Sequence, residues 1–93
     1  MVRDALRDRK YDEAIIKCEK ALALDPKLAY AYAHWGTALM LQEKYDEAIA
    51  KFREAAALDP KLVMAYHNWG IALQRSGHYL EAEDLFAKAS SLK

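Results

Sequence analysis

Ninety-three residues suffice for one small domain, and a composition 54% hydrophobic and 30% charged excludes disorder as the default state. Fourteen basic residues balance fourteen acidic ones for a formal net charge of +0. A protein that neutralises a run of phosphates needs a basic surplus, so nucleic acid is excluded as the expected partner.

The N-terminus is charged from Arg3 onward and shows no apolar signal region. A remnant of a helix is expected over residues 2–8, with a break at Arg9, and a full helix over Tyr11–Leu24. Cys18, the single cysteine, forms no internal disulfide and reads as a small buried apolar residue. Asp25-Pro26 stops this helix, because proline lacks an N–H and disfavours helical geometry in the residue before it. Ala29–Gln42 then carries Tyr32, Trp35, Ala38, Leu39 and Leu41 at helical spacing. The stretch Leu28–Gln42, free of Asp, Glu, Lys and Arg, is too short to span a bilayer and reads as a buried helix. The chain is therefore expected to be soluble and cytoplasmic, with no membrane partner.

After a break at Glu43-Lys44, Tyr45–Leu58 places Ala48, Ile49, Phe52, Ala55 and Leu58 on one face. Asp59-Pro60 stops it, and Val63–Ser76 and Tyr79–Leu92 repeat the plan. Gly77 closes the first of that pair in the left-handed conformation, which Glu43 and Arg9 at the matching places adopt less readily. The acids Asp12, Glu13, Asp46, Glu47 and Glu81 are expected in first turns, where they complement the helix dipole.

The two Asp-Pro pairs lie thirty-four residues apart, and at that offset the rest of the chain coincides. Tyr32 falls on Tyr66, Trp35-Gly36 on Trp69-Gly70, Ala48 on Ala82 and Phe52 on Phe86; Tyr11-Asp12-Glu13-Ala14-Ile15 recurs as Tyr45-Asp46-Glu47-Ala48-Ile49. A fixed period of this length marks a repeat array whose units bury apolar faces against their neighbours. Glycine costs about 1 kcal/mol in a helix interior, so Gly36 and Gly70 suggest a close approach of a facing helix backbone, with Ala48 and Ala82 opposite. Short connections then force antiparallel helical hairpins.

The order aromatic, Trp-Gly, Ala-Leu, Tyr, Glu-Ala, Phe, Ala, Leu-Asp-Pro resembles the tetratricopeptide repeat from Tyr11 to the end of the chain. Gly36/Gly70 and Ala14/Ala48/Ala82 match that family's small packing positions. Tyr11/Tyr45/Tyr79 match its interhelix tyrosine, Ala21/Ala55/Ala89 its later alanine and Pro26/Pro60 its terminating proline. The resemblance implies an all-α, right-handed solenoid: a truncated first repeat over residues 1–26, then complete repeats over 27–60 and 61–93. The departures are at the ends, where the first unit lacks most of its leading helix and no solvating helix follows the third.

The resemblance also implies a non-enzymatic interaction module with no cofactor, whose first helices line a concave groove for a peptide or partner helix. The residues of those helices that packing leaves free are Tyr30, Ala33, His34, Thr37 and Leu41, then Met64, His67, Asn68, Ile71 and Arg75, with Arg3 and Arg7 extending the row. The family's carboxylate clamp for an acidic tail is matched only at Asn68, so a mixed apolar and polar ligand is expected. His34 and His67 lack a third ligand for a metal, no nucleophile has a visible activating partner, and no phosphate loop is present.

The alternative is assembly through open ends. Ile15, Ile16 and Leu22 at the front, and Leu85, Phe86, Ala89 and Leu92 at the back, would be left uncovered. Either the chain is part of a longer array or these edges associate into a homo-oligomer.

Overall fold

In a computed structural model, which describes residues 5–93, the chain forms five helices: α1 (Ala5–Leu24), α2 (Ala29–Leu41), α3 (Tyr45–Leu58), α4 (Val63–Arg75) and α5 (Tyr79–Ser91). Successive helices pack on each other, and α2 also touches α4. The result is an all-α repeat solenoid, 38 × 36 × 19 Å, whose thin dimension is that of two helix layers. No helix among the described residues is long and apolar enough to cross a membrane.

Each Asp-Pro turn is built by more than proline. Asp25 and Asp59 accept the backbone N–H of Lys27 and Lys61 through their carboxylates, each at 3.1 Å. Their carbonyls accept from Leu28 and Leu62 at 3.2 and 3.1 Å. The aspartate thus holds a local Asx turn that seeds the next helix.

The two hairpin loops end their helices alike. Lys44 N–H donates to the Leu39 carbonyl at 2.9 Å and Glu43 N–H to the Met40 carbonyl at 2.9 Å; His78 to Leu73 at 2.8 Å and Gly77 to Gln74 at 3.1 Å repeat the pair. This motif needs a left-handed residue, and Glu43 (φ 65°) and Gly77 (φ 91°) supply it. Nothing crowds Gly77, so its requirement is conformational alone. Gly77→Ala is therefore expected to cost about 1 kcal/mol and Glu43→Gly to stabilise by roughly 0.5–1 kcal/mol. Urea denaturation checks both signs; equal responses at the two sites would contradict the strain at Glu43.

The third such break does not form. α1 runs unbroken through Arg9, so the expected remnant helix over 2–8 followed by a turn is corrected for its described part. A left-handed arginine has a cost that only a hairpin packed against a leading helix would offset. Asp12 and Glu13 therefore lie inside α1 rather than in a first turn; Asp46, Glu47 and Glu81 do occupy first turns. Asp12 instead accepts the side-chain amide of buried Gln42 at 2.8 Å, which ties the end of α2 to α1.

The main core gathers Leu39, Met40, Ala48, Ile49, Phe52, Ala72, Leu73 and Ala82. A second cluster joins Ala33, Ala55 and Ala65 from α2, α3 and α4, with Leu62 and Met64 against it. What crowds the helix glycines is a ring rather than a backbone. A Cβ on Gly36 would lie 2.6 Å from Cε1 of Phe52, and one on Gly70 would lie 2.7 Å from Cε1 of Phe86.

Candidate functional site

Tyr30, His34, Thr37 and Leu41 recur at spacings of three and four along α2, and Met64, His67 or Asn68, Ile71 and Arg75 do so along α4. Such spacing places each set in one stripe of its helix. The two stripes are joined directly. Thr37 hydroxyl donates to the Ala33 carbonyl at 3.0 Å and accepts from the Asn68 side-chain amide at 3.1 Å. Asn68 is thus engaged in fixing α4 beside α2.

The stripe is unevenly open. Tyr30 is exposed and meets His34 edge-on, with ring centroids 4.1 Å apart. His67 is exposed and leans on Phe86 at 5.6 Å. The two histidines therefore rest on different aromatic rings, and no group of three metal-ligating side chains occurs among the described residues. Leu41 is half-buried, Ile71 packs on the main core, and Met64 lies against the alanine cluster. Ala33 is fully buried and belongs to that cluster rather than to the open stripe. Arg75 is exposed in the last turn of α4, where its charge complements the helix dipole. Arg3 lies outside the described residues, as does the side chain of Arg7.

Charge is divided sharply between the helices. α2 has no charged residue and α4 only Arg75, while α1, α3 and α5 hold acidic and basic residues along their lengths. The α2/α4 face therefore offers aromatic, aliphatic, imidazole and amide groups with one cation and no carboxylate. It suits apolar anchors with hydrogen bonds beside them.

Other features lie away from this face. Tyr32, which packs on the alanine cluster, and Trp35, which packs on the main core, stack at 6.5 Å with Lys51 Nζ 3.8 Å above the Trp35 ring. Tyr66 and Trp69 stack at 6.4 Å, with Lys88 Nζ 5.9 Å over Tyr66 and Arg53 5.7 Å over Trp69. The Tyr-x-x-Trp spacing was the available signal for these stacks. Beside the first lies a cleft of about 460 Å³ lined by Ile15, Trp35, Leu39, Glu47, Ala50 and Lys51. A larger, open depression of about 620 Å³ sits between the hairpin loops and is lined mainly by polar groups such as Glu43, Lys44, Ser76 and His78. Cys18 is buried, and burial, with the Glu19 carboxylate second, raises its thiol pKa, which disfavours the reactive thiolate.

The residues expected at open ends are only partly open. Ile15, Leu85 and Phe86 pack partly against the core and Leu92 is half-buried, while Ile16 is exposed. The most exposed apolar side chain on α5 is instead Leu80, at 81%. The repeat marks it, since Asp12 and Asp46 stand at the matching places.

A family model described as a TPR repeat matches residues 36–77. Among solved structures, the chain is similar to the second TPR of Spaghetti (RPAP3) bound to the HSP90 peptide SRMEEVD, at 28% identity and TM-score 0.85, over 90% of this chain and 78% of that one. It is similar to the type III secretion translocator chaperone SycD of Yersinia enterocolitica, in an alternative dimer, at 25% identity and TM-score 0.85, over 89% and 63%. It is also similar to MamA, at 29% identity and TM-score 0.81, over 89% of this chain and 48% of that one. The chain thus spans about half the length of MamA. No curated protein matches it significantly.

Proposed function

We propose, from the match of residues 36–77 to a TPR-repeat family model and the similarity to TPR structures, that this tetratricopeptide-repeat chain is a non-enzymatic interaction module that holds a peptide or partner helix on its α2/α4 face. The observation that carries this reading is the carboxylate-free stripe made continuous by the Thr37–Asn68 hydrogen bond. The similarity to a repeat bound to a peptide supports it. That peptide, SRMEEVD, is rich in carboxylates. Here Arg75 is the one cation of the face and the Asn68 amide is engaged by Thr37. The ligand is therefore an extended or helical segment with apolar anchors and few charges. Tyr30, His34 and Met64 meet the anchors, while His67 and Arg75 meet polar groups.

Peptide-array selection followed by fluorescence anisotropy tests this. Tyr30→Ala with Arg75→Ala weakens the selected ligand at least about tenfold and leaves the helical circular dichroism unchanged. A ligand held with unchanged affinity by that variant would refute the assignment of the face.

A second reading, self-association, is favoured by one residue. Leu80 places an exposed apolar side chain where the other units carry aspartate. Light scattering at high micromolar concentration is expected to show dimers that Leu80→Asp abolishes; a strict monomer would remove this reading.

A further inference from the structure

One stretch of sequence stands in two backbone conformations. Lys10-Tyr11-Asp12-Glu13-Ala14-Ile15 lies inside the unbroken helix α1, whereas the identical Lys44-Tyr45-Asp46-Glu47-Ala48-Ile49 follows the break between α2 and α3. Nothing in that segment imposes the break. Gln42, Glu43 and Lys44 are all good helix formers, and Lys44 makes no side-chain cap to the start of α3. What the break requires is Glu43 in the left-handed conformation, φ 65°, which a residue with a Cβ adopts at a cost. The pairing of α2 with α3 offsets that cost. The loop of the last hairpin differs on each count. Gly77 takes φ 91° freely, the Ser76 hydroxyl donates to the Leu73 carbonyl at 3.0 Å, and glycine disfavours a helix interior.

The antiparallel hairpin gives the alternative a definite geometry. With residues 42–44 helical, α2 and α3 fuse into one helix over residues 29–58, about 45 Å long. Two such helices lying antiparallel place α2 of each copy against α3 of the other. The Phe52 ring then rests on Gly36 of the second copy, and the hairpin contacts re-form with no new surface needed. α1 stays with α2 through the bond of Gln42 to Asp12, while α4 and α5 stay with α3. We infer that the chain exchanges its α1–α2 half with a second copy by straightening at Glu43. The partner is a second copy because only it carries the surface that α2 leaves. This exchange is distinct from association through Leu80. It requires the α2–α3 interface to open, so it occurs on refolding at high concentration, not on concentrating the folded chain, and it reverts slowly.

The test unfolds the full chain in guanidinium, refolds it at high micromolar concentration and separates the products by chromatography with light scattering. A dimer is expected that returns to monomer only slowly on dilution. Glu43→Gly should lower its association constant at least about tenfold, because glycine relieves the closed hairpin and weakens the fused helix. Leu80→Asp should leave this dimer unchanged. In dimers reconstituted from one isotope-labelled and one unlabelled copy, filtered nuclear Overhauser effects should connect Gly36 of one copy with the Phe52 ring of the other. Three outcomes overturn the inference: a strict monomer after refolding, a dimer lost with Leu80→Asp but untouched by Glu43→Gly, or a Gly36–Phe52 contact confined to a single copy.

Discussion

Replacing Phe52 with alanine lowers the stability of the domain by about 3–5 kcal/mol, out of a total of roughly 5–15 kcal/mol for a chain of this class. The ring is fully buried. It lies on the bare backbone of Gly36 and within a cluster that includes Leu39, Ile49 and Leu73, so it joins α2, α3 and α4. Truncation removes the largest fully buried side chain and leaves a cavity that rigid helices close poorly. Thermal denaturation followed by circular dichroism should show Tm falling by more than about 10 °C. Phe86→Ala should cost less, because Phe86 is only half-buried and belongs to the outermost hairpin. A loss below about 1.5 kcal/mol at Phe52 would mean that the hairpins are not held at this point.

Gly36→Ala is expected to destabilise by about 1–3 kcal/mol, although alanine is the better helix former by about 1 kcal/mol. The sign is decided by space. A Cβ 2.6 Å from Cε1 of Phe52 forces one of the two groups to move, and a fully buried ring has nowhere to go. At Gly70 the same substitution meets Phe86, which is half-buried and free to yield, so its cost should be smaller. A double-mutant cycle isolates the contact. In a Phe52→Leu background, Gly36→Ala should lose most of its effect, with a coupling of about 1 kcal/mol or more. Additive effects would return the explanation to a backbone-to-backbone approach.

The sequence made the period legible, and with it the helices. The spans read as Ala29–Gln42 and Tyr45–Leu58 became Ala29–Leu41 and Tyr45–Leu58, because the Asp-Pro turns and left-handed closures act locally. The continuity of α1 was not legible, since the break at Arg9 was inferred from units that have a leading helix to pack against. The partner of Gly36 is not legible in the sequence for a related reason. Repetition says that Gly36 and Phe52 recur together, but which atoms meet depends on how the two helices cross. The stripe residues could be named from spacing, whereas the Thr37–Asn68 bond that joins the stripes required the relative height of α2 and α4. Leu80 stands out in the sequence as a break in the repeat, whereas Leu85 and Phe86, expected at the open end, pack partly on the core.

The central claim is that the α2/α4 stripe is where a ligand sits. Backbone amide chemical shifts of the labelled chain, followed during titration with the best array-selected peptide, test it most directly. The account predicts that the largest changes fall on Tyr30, His34, Met64, His67 and Arg75, with the amide of Asn68 shifting as its bond to Thr37 adjusts. Changes centred instead on Ile15, Trp35 and Lys51 in the cleft beside the Tyr32–Trp35 stack, or on Leu80, with the stripe unmoved at saturation, would contradict it.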